Sequence, residues 1–233
     1  MTACRRLLLI SNSTNHGSGY LDHAESEIRS VLGEKARVFF VPYAMHDLEG
    51  YVARTRDRLA AMGHELLSSH EPGASVDTAD AVFVGGGNTF RLLDSLFRHD
   101  LIGAIREAVR QGKPYIGSSA GSIVACPTLK TTKDMPVIQP PSFDALGLVP
   151  FQISPHFLDP DPASSHMGET QEERILQYLE HNELRVVGLR EGSMLQIDGP
   201  RLTLRGISAA RIFEKGRPPA EHPPGARLDF LLG

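Results

Sequence analysis

Through the first half of the chain, short continuous apolar runs alternate with amphipathic stretches. The runs are Leu7-Leu8-Leu9-Ile10, Val38-Phe39-Phe40-Val41, Ala81-Val82-Phe83-Val84 and Tyr115-Ile116. Each lacks polar alternation, as expected of a strand covered on both faces. Between them, Tyr20 to Leu32 place Leu21, Ile28, Val31 and Leu32 at helical spacing. Leu48 to Met62 carry Val52, Leu59 and Met62 among arginines, the pattern of a surface helix. A further helix starts at Thr89, and Leu101, Ile102, Ile105 and Val109 form one face of another, stopped by Gly112. Strands that alternate with helices need crossover connections, and these build a mostly parallel sheet with helices on both faces. The predicted fold is therefore α/β.

From about Val186 the pattern changes. Val186 to Leu189, Ser193 to Ile197, Leu202 to Leu204 and Ala210 to Phe213 are short strand candidates separated by turns such as Gly199-Pro200. They are expected to add antiparallel strands at an edge of the sheet. The tail from Arg217 to Gly225 holds Pro218-Pro219 and Pro223-Pro224 and reads as an irregular surface segment. No internal repeat appears, and 233 residues suffice for one α/β domain spanning 1–233.

Composition excludes several classes of partner. The charged fraction is 22% and the net charge −4, with no run of Lys or Arg able to track a phosphate backbone, so nucleic acid is not an expected partner. The apolar stretch after Arg6 is too short for a signal peptide core or a membrane span. No membrane association is expected. Cys4 and Cys126 are too few for a disulfide framework and suit a reducing compartment, so the expected location is the cytoplasm. Cys126, seven residues after Ser119 in an expected helix, reads as a small core residue. Oligomeric state stays open, with a homodimer among the options.

The sharpest local signal is Gly117-Ser118-Ser119-Ala120-Gly121. A G-x-S-x-G pattern between a strand and a helix places its serine on a tight turn, where glycines permit the crowded backbone. Ser119 is thus the candidate nucleophile. Of ten histidines, His156 stands in Ser154-Pro155-His156-Phe157, directly after the apolar Val149 to Ile153. That places it at a strand end, on the sheet edge expected to carry Ser119. His166, His181 and the others stand in polar or helical surroundings. A third group must hold the imidazole tautomer and stabilise the imidazolium. Asp134, in a loop, and Glu191, after the strand Val186 to Leu189, both qualify, and the strand-end placement favours Glu191. The turn Gly85-Gly86-Gly87-Asn88-Thr89 lacks a P-loop lysine and the G-x-G-x-x-G spacing. Its better reading is an oxyanion hole, with one N–H from Gly87 and the second from Ala120. Asn88, Thr170 and Arg174 are candidate substrate-binding residues, Arg174 lying one turn into a helix that follows Gly168-Glu169-Thr170.

Gly85 to Phe90, Gly117 to Gly121, Thr131 to Pro136, Pro155-His156-Phe157 and Gly168-Glu169-Thr170 together resemble the peptidase E, or α-aspartyl dipeptidase, family. The likeness runs from Leu7 to about Phe213, with all motifs in order. It implies a fold similar to class I glutamine amidotransferases (flavodoxin-like), with serine in place of cysteine. It also implies hydrolysis of small peptide substrates of the form Asp-X, without metal or organic cofactor. Carried over, Ser119 and His156 are nucleophile and base, whereas the family's third member matches both Asp134 and Glu191. Gln171 stands where bacterial members carry arginine, so the resemblance leaves open which cation holds the substrate carboxylate. Two other readings stand beside this one: a catalytically silent small-molecule binder on the same fold, and a general carboxylesterase.

Overall fold

The computed structural model describes residues 5–160, 163, 165 and 167–233. Cys4 and His166 lie outside the described residues. Every apolar run of the first half is a strand: β1 (Arg6–Ile10), β2 (Arg37–Val41), β4 (Ala81–Val84) and β5 (Tyr115–Ser118). The strand β3 (Glu65–Ser68) was not anticipated, because its apolar content is confined to the pair Leu66-Leu67. These strands are parallel to their neighbours. Two later strands, β8 (Ser193–Asp198) and β9 (Arg201–Gly206), extend the β1 edge antiparallel, as expected. The full order is β3-β2-β4-β5-β1-β8-β9.

Alternation within the runs explains the layering, because successive side chains of a strand point to opposite faces. Leu8, Ile10, Val38, Phe40 and Phe83 pack on one face with Ile28 and Val31 of α1 (Glu25–Leu32) and Val52 and Leu59 of α2 (Leu48–Ala61). Leu7, Leu9, Phe39, Val82 and Val84 pack on the other. There they meet α3 (Thr89–Arg98), α4 (Leu101–Arg110) and the short α5 (Ala120–Val124). Cys126 falls just beyond α5 rather than within it, is fully buried, and desolvation drives its thiol pKa up.

The rest of the C-terminal half departs from expectation. Here β6 (Gln152–Pro155), β7 (Val186–Leu189), β10 (Ala210–Phe213) and β11 (Ala220–His222) form a second sheet in the order β11-β10-β7-β6. Its apolar residues Ile153, Val187, Leu189 and Ile212 join the same core as α3 to α5. Its other face is covered by α6 (Gln171–His181), through Phe157, Ile175, Leu179, Val186 and Phe213. The strands that precede His156 and Glu191 therefore belong to this second sheet, not to the one that carries Ser119. Hydropathy cannot distinguish these arrangements, because a strand buried on both faces reads alike in either sheet. The tail is also less irregular than expected. Its segment Ala220–His222 pairs with β10 through its backbone while presenting mostly exposed side chains, which leaves no apolar signal.

Candidate active site

Ser119 sits between β5 and α5 with φ 50° and ψ −108°, outside the regions L-residues favour. Close backbone approaches explain the flanking glycines. A Cβ on Gly121 would meet the Val84 carbonyl oxygen at 2.0 Å, and one on Gly117 would meet the Gly121 oxygen at 2.5 Å. Hydrogen bonds hold the turn without using the Ser119 side chain. The Ser119 N–H donates to Ile10 O at 3.0 Å, the Ser122 hydroxyl to Ile10 O at 2.8 Å, and the buried Tyr115 hydroxyl to Gly121 O at 2.6 Å.

The second sheet delivers the partner. Ser119 Oγ lies 2.9 Å from His156 Nε2, and His156 Nδ1 lies 2.7 Å from Glu191 Oε1. His156 directly follows β6 in a left-handed conformation, with φ 51°. Its side chain is 41% exposed and that of Glu191 54%, so the imidazole stays open to solvent.

Two residues that the sequence reading passed over organise this crossing. Ser11 and Asn12, both buried, follow β1 directly. The Ser11 hydroxyl accepts the His156 N–H at 2.9 Å and donates to Leu189 O at 2.8 Å, tying β1 to both β6 and β7. Asn12 Oδ1 accepts the Gly192 N–H at 2.8 Å and so fixes the turn that carries Glu191. The neighbouring Arg190 holds Asp159 through two hydrogen bonds, of 2.8 and 2.7 Å, and also contacts Glu221. The available signal was a polar Ser-Asn pair ending an otherwise apolar strand.

Asp134 is placed elsewhere. Its Oδ2 accepts the Thr89 N–H at 2.7 Å, the Thr89 hydroxyl at 2.6 Å and the Thr132 hydroxyl at 3.0 Å. The carboxylate thus caps the start of α3 and anchors its own loop. Removing it strands buried donors, so Asp134→Ala should lower stability by about 1–3 kcal/mol. Urea titration measures this, and an unchanged midpoint would remove the capping role.

The glycine turn lies against Ser119, since a Cβ on Gly86 would come within 3.2 Å of the Ser119 Cβ. Gly87 has φ 135°, and a Cβ there would meet Ala44 O at 2.5 Å. The Gly86 N–H donates to the buried Tyr51 hydroxyl at 2.8 Å, a support the sequence did not reveal. Among the described residues, the N–H groups of Gly87 and Ala120 have no protein acceptor.

The three substrate-binding candidates divide. Asn88 caps α3 by accepting the Arg91 N–H at 3.0 Å and donates to Met135 O at 2.8 Å. Thr170 forms a capping box with Glu173 at the start of α6. Arg174 lines a pocket together with Lys130, Lys133, Ser154, Gln171 and Tyr178. Its contact with Glu169 is long, at 3.8 Å. Lys133, also missed by the sequence reading, is an exposed residue whose ammonium is held by three protein acceptors. Desolvation lowers the Lys133 pKa to about 8, against the opposing pull of Asp134 and with a further lowering from Arg174. No cluster of His, Cys, Asp or Glu suited to a metal occurs among the described residues, and none of their helices is long and apolar enough to cross a membrane.

Comparison with known proteins gives this geometry a context. A peptidase E from Streptomyces coelicolor is 54% identical over 229 residues, covering 97% of this chain and 94% of the relative. A Drosophila melanogaster protein named "Probable alpha-aspartyl dipeptidase" is 44% identical, covering 100% of this chain and 99% of its own. The crystal structure of a peptidase from an acI-B1 Actinobacterium shares the fold with a TM-score of 0.70 at 18% identity, covering 97% of each chain. Residues 7–205 match the sequence pattern of Peptidase family S51. With that match spanning most of its length, the chain belongs to peptidase family S51.

Proposed function

We propose that the chain is a serine dipeptidase that hydrolyses Asp-X dipeptides through an acyl-enzyme on Ser119. The observation that carries this reading is the hydrogen-bonded series Ser119–His156–Glu191, assembled from two sheets at one strand-to-helix turn. In the first step Ser119 Oγ attacks the scissile carbonyl carbon and passes its proton to His156 Nε2. The carbonyl oxygen becomes an oxyanion, received by the N–H groups of Gly87 and Ala120, which have no acceptor among the described residues. Collapse of the tetrahedral intermediate breaks the C–N bond, and His156 returns the proton to the leaving amine. Water then attacks the ester by the same route, which frees the aspartate and restores Ser119. Glu191 fixes the tautomer that leaves Nε2 free to accept, and stabilises the imidazolium.

Glu191→Gln keeps the shape but favours the wrong tautomer, so kcat should fall by roughly 10³- to 10⁴-fold. Asp134→Asn should cost far less, because its carboxylate bonds to Thr89 and Thr132. Steady-state kinetics on Asp-Leu compare the two, and a larger loss in Asp134→Asn would transfer the orienting role.

The relatives' names supply the aspartyl part of the proposal, and the pocket supports it. Lys130, Lys133 and Arg174 give it a cationic lining beside Ser154, two residues before His156. A dipeptide screen that varies the first residue tests the reading directly.

A further inference from the structure

The loop that carries Asp134 reaches across the site in both directions. On one side Asp134 holds Thr89, just after the glycine turn, and Asn88 holds Met135 O. On the other side the Thr131 hydroxyl donates to Ile153 O of β6 at 2.8 Å. Between them the Lys133 ammonium donates to Pro155 O at 2.7 Å, His156 O at 3.0 Å and Gln171 Oε1 at 3.0 Å. An ammonium has three donors and no acceptor, so these contacts use its full capacity. Gln171 Oε1 also accepts the Leu158 N–H at 3.1 Å, which binds the far side of the same turn.

We propose that Lys133 is a positioning residue whose ammonium clamps the backbone around His156 and so sets the imidazole within reach of Ser119. His156 needs such support. Its left-handed backbone conformation is unfavourable for a residue with a side chain and persists only when neighbouring contacts hold it. Ser11 fixes the His156 N–H from the β1 side. Lys133 fixes the carbonyls before and after the His156 Cα from the opposite side, so the two together define the direction of its Cα–Cβ bond. A cation suits this position because two successive carbonyl dipoles converge there, and a charge-assisted hydrogen bond is about twice as strong as a neutral one. The charged groups around the ammonium are Asp134 on its own loop, Glu191 on the β7–β8 turn, Arg174 on α6 and Lys130 earlier in the loop. The donors of Lys133 being occupied, substrate recognition falls to Arg174 rather than to Lys133.

The inference rests on the reading of Ser119 and His156 as the reacting pair, and a reagent without a carboxylate tests it separately from aspartyl specificity. A phosphonofluoridate labels a serine that has an effective base, with loss of fluoride. Lys133→Met should slow the labelling of Ser119 and lower kcat on Asp-Leu alike, by about 10- to 100-fold, the loss typical of an ångström-scale misplacement. KM should stay within about twofold, because a misplaced base weakens the transition state and not substrate binding. Lys133→Arg, which keeps the charge and the donors, should recover most of the labelling rate. Gln171→Leu, which leaves Lys133 in place and removes one acceptor, should give a smaller loss in the same direction and serves if Lys133→Met does not fold. Wild-type labelling in folded Lys133→Met, or in Gln171→Leu, overturns the proposal. So does a raised KM with unchanged kcat in Lys133→Met, which would make Lys133 a substrate ligand. Failure of the wild type to label at Ser119 would instead remove the reacting pair on which the proposal stands.

Discussion

Ser119→Ala and His156→Ala should each abolish turnover of Asp-Leu while the fold remains intact. Nucleophile and base act as a unit, so losing either should cost roughly 10⁴- to 10⁶-fold in kcat. The structure separates this chemical loss from a structural one. Ser119 Oγ makes its contact with His156 Nε2, whereas the turn itself is held by backbone, Ser122 and Tyr115 contacts. The His156 backbone is likewise held by Ser11 and Lys133, through its N–H and its carbonyl. Alanine at either position should therefore shift stability by less than about 1 kcal/mol. Kinetics and thermal unfolding on the same preparations check both statements. If Ser119→Ala kept even about a tenth of wild-type kcat, where the cost expected of a lost triad member is at least 10³-fold larger, serine catalysis would be wrong.

Legibility in the sequence followed physical signal strength. The parallel strands β1, β2, β4 and β5 were readable because strands buried on both faces must be continuously apolar, as in Leu7 to Ile10 and Ala81 to Val84. The turn at Ser119 was readable because two close backbone approaches demand glycine at 117 and 121. The second sheet was not readable. Periodicity reports which residues are buried but not which sheet buries them, so the sequence places β7 at an edge of the first sheet and the end of β6 on the sheet edge that carries Ser119. His156 and Glu191 nevertheless meet as the strand-end argument anticipated, because the second sheet packs onto the same core and its strand ends open toward β5. Asp134 and Glu191 could not be separated by residue type, since a carboxylate that caps a helix looks like one that orients a histidine. Their hydrogen-bond partners differ, and those depend on contacts 45 residues away for Asp134 and 35 for Glu191. Asn88 and Thr170 show the same ambiguity: each is a candidate substrate ligand by sequence, and each side chain accepts an N–H at a helix start. Tyr51 and Lys133 gave no local signal, and Ser11 only that of a polar residue ending an apolar strand, because their partners come from distant parts of the chain.

Asp-Leu should exceed Asn-Leu in kcat/KM by up to roughly 10⁴-fold, the discrimination open to a site whose polar groups are left unpaired by the wrong substrate. The two substrates have nearly the same shape, so the difference isolates the charge. The pocket beside His156 has Lys130, Lys133 and Arg174 in its lining, and the lysine between them has its donors occupied by backbone and Gln171. Arg174 is then the guanidinium best placed to take a carboxylate in a bidentate, charge-assisted contact. Its existing partner does not compete strongly. Glu169 lies at 3.8 Å, and with side-chain exposures of 56% and 54% such a surface pair contributes about 1 kcal/mol at most. Arg174→Met keeps an unbranched apolar stem and removes the guanidinium with its charge. On Asp-Leu it should lose at least about tenfold in kcat/KM, the effect of losing a hydrogen bond to a charged group. On Asn-Leu it should change little, so the selectivity ratio itself should collapse. A variant that retained wild-type kcat/KM on Asp-Leu would reduce Arg174 to a surface partner of Glu169. Comparable kcat/KM for Asp-Leu and Asn-Leu in the wild type would overturn aspartyl recognition altogether, while the Ser119–His156–Glu191 chemistry would stand.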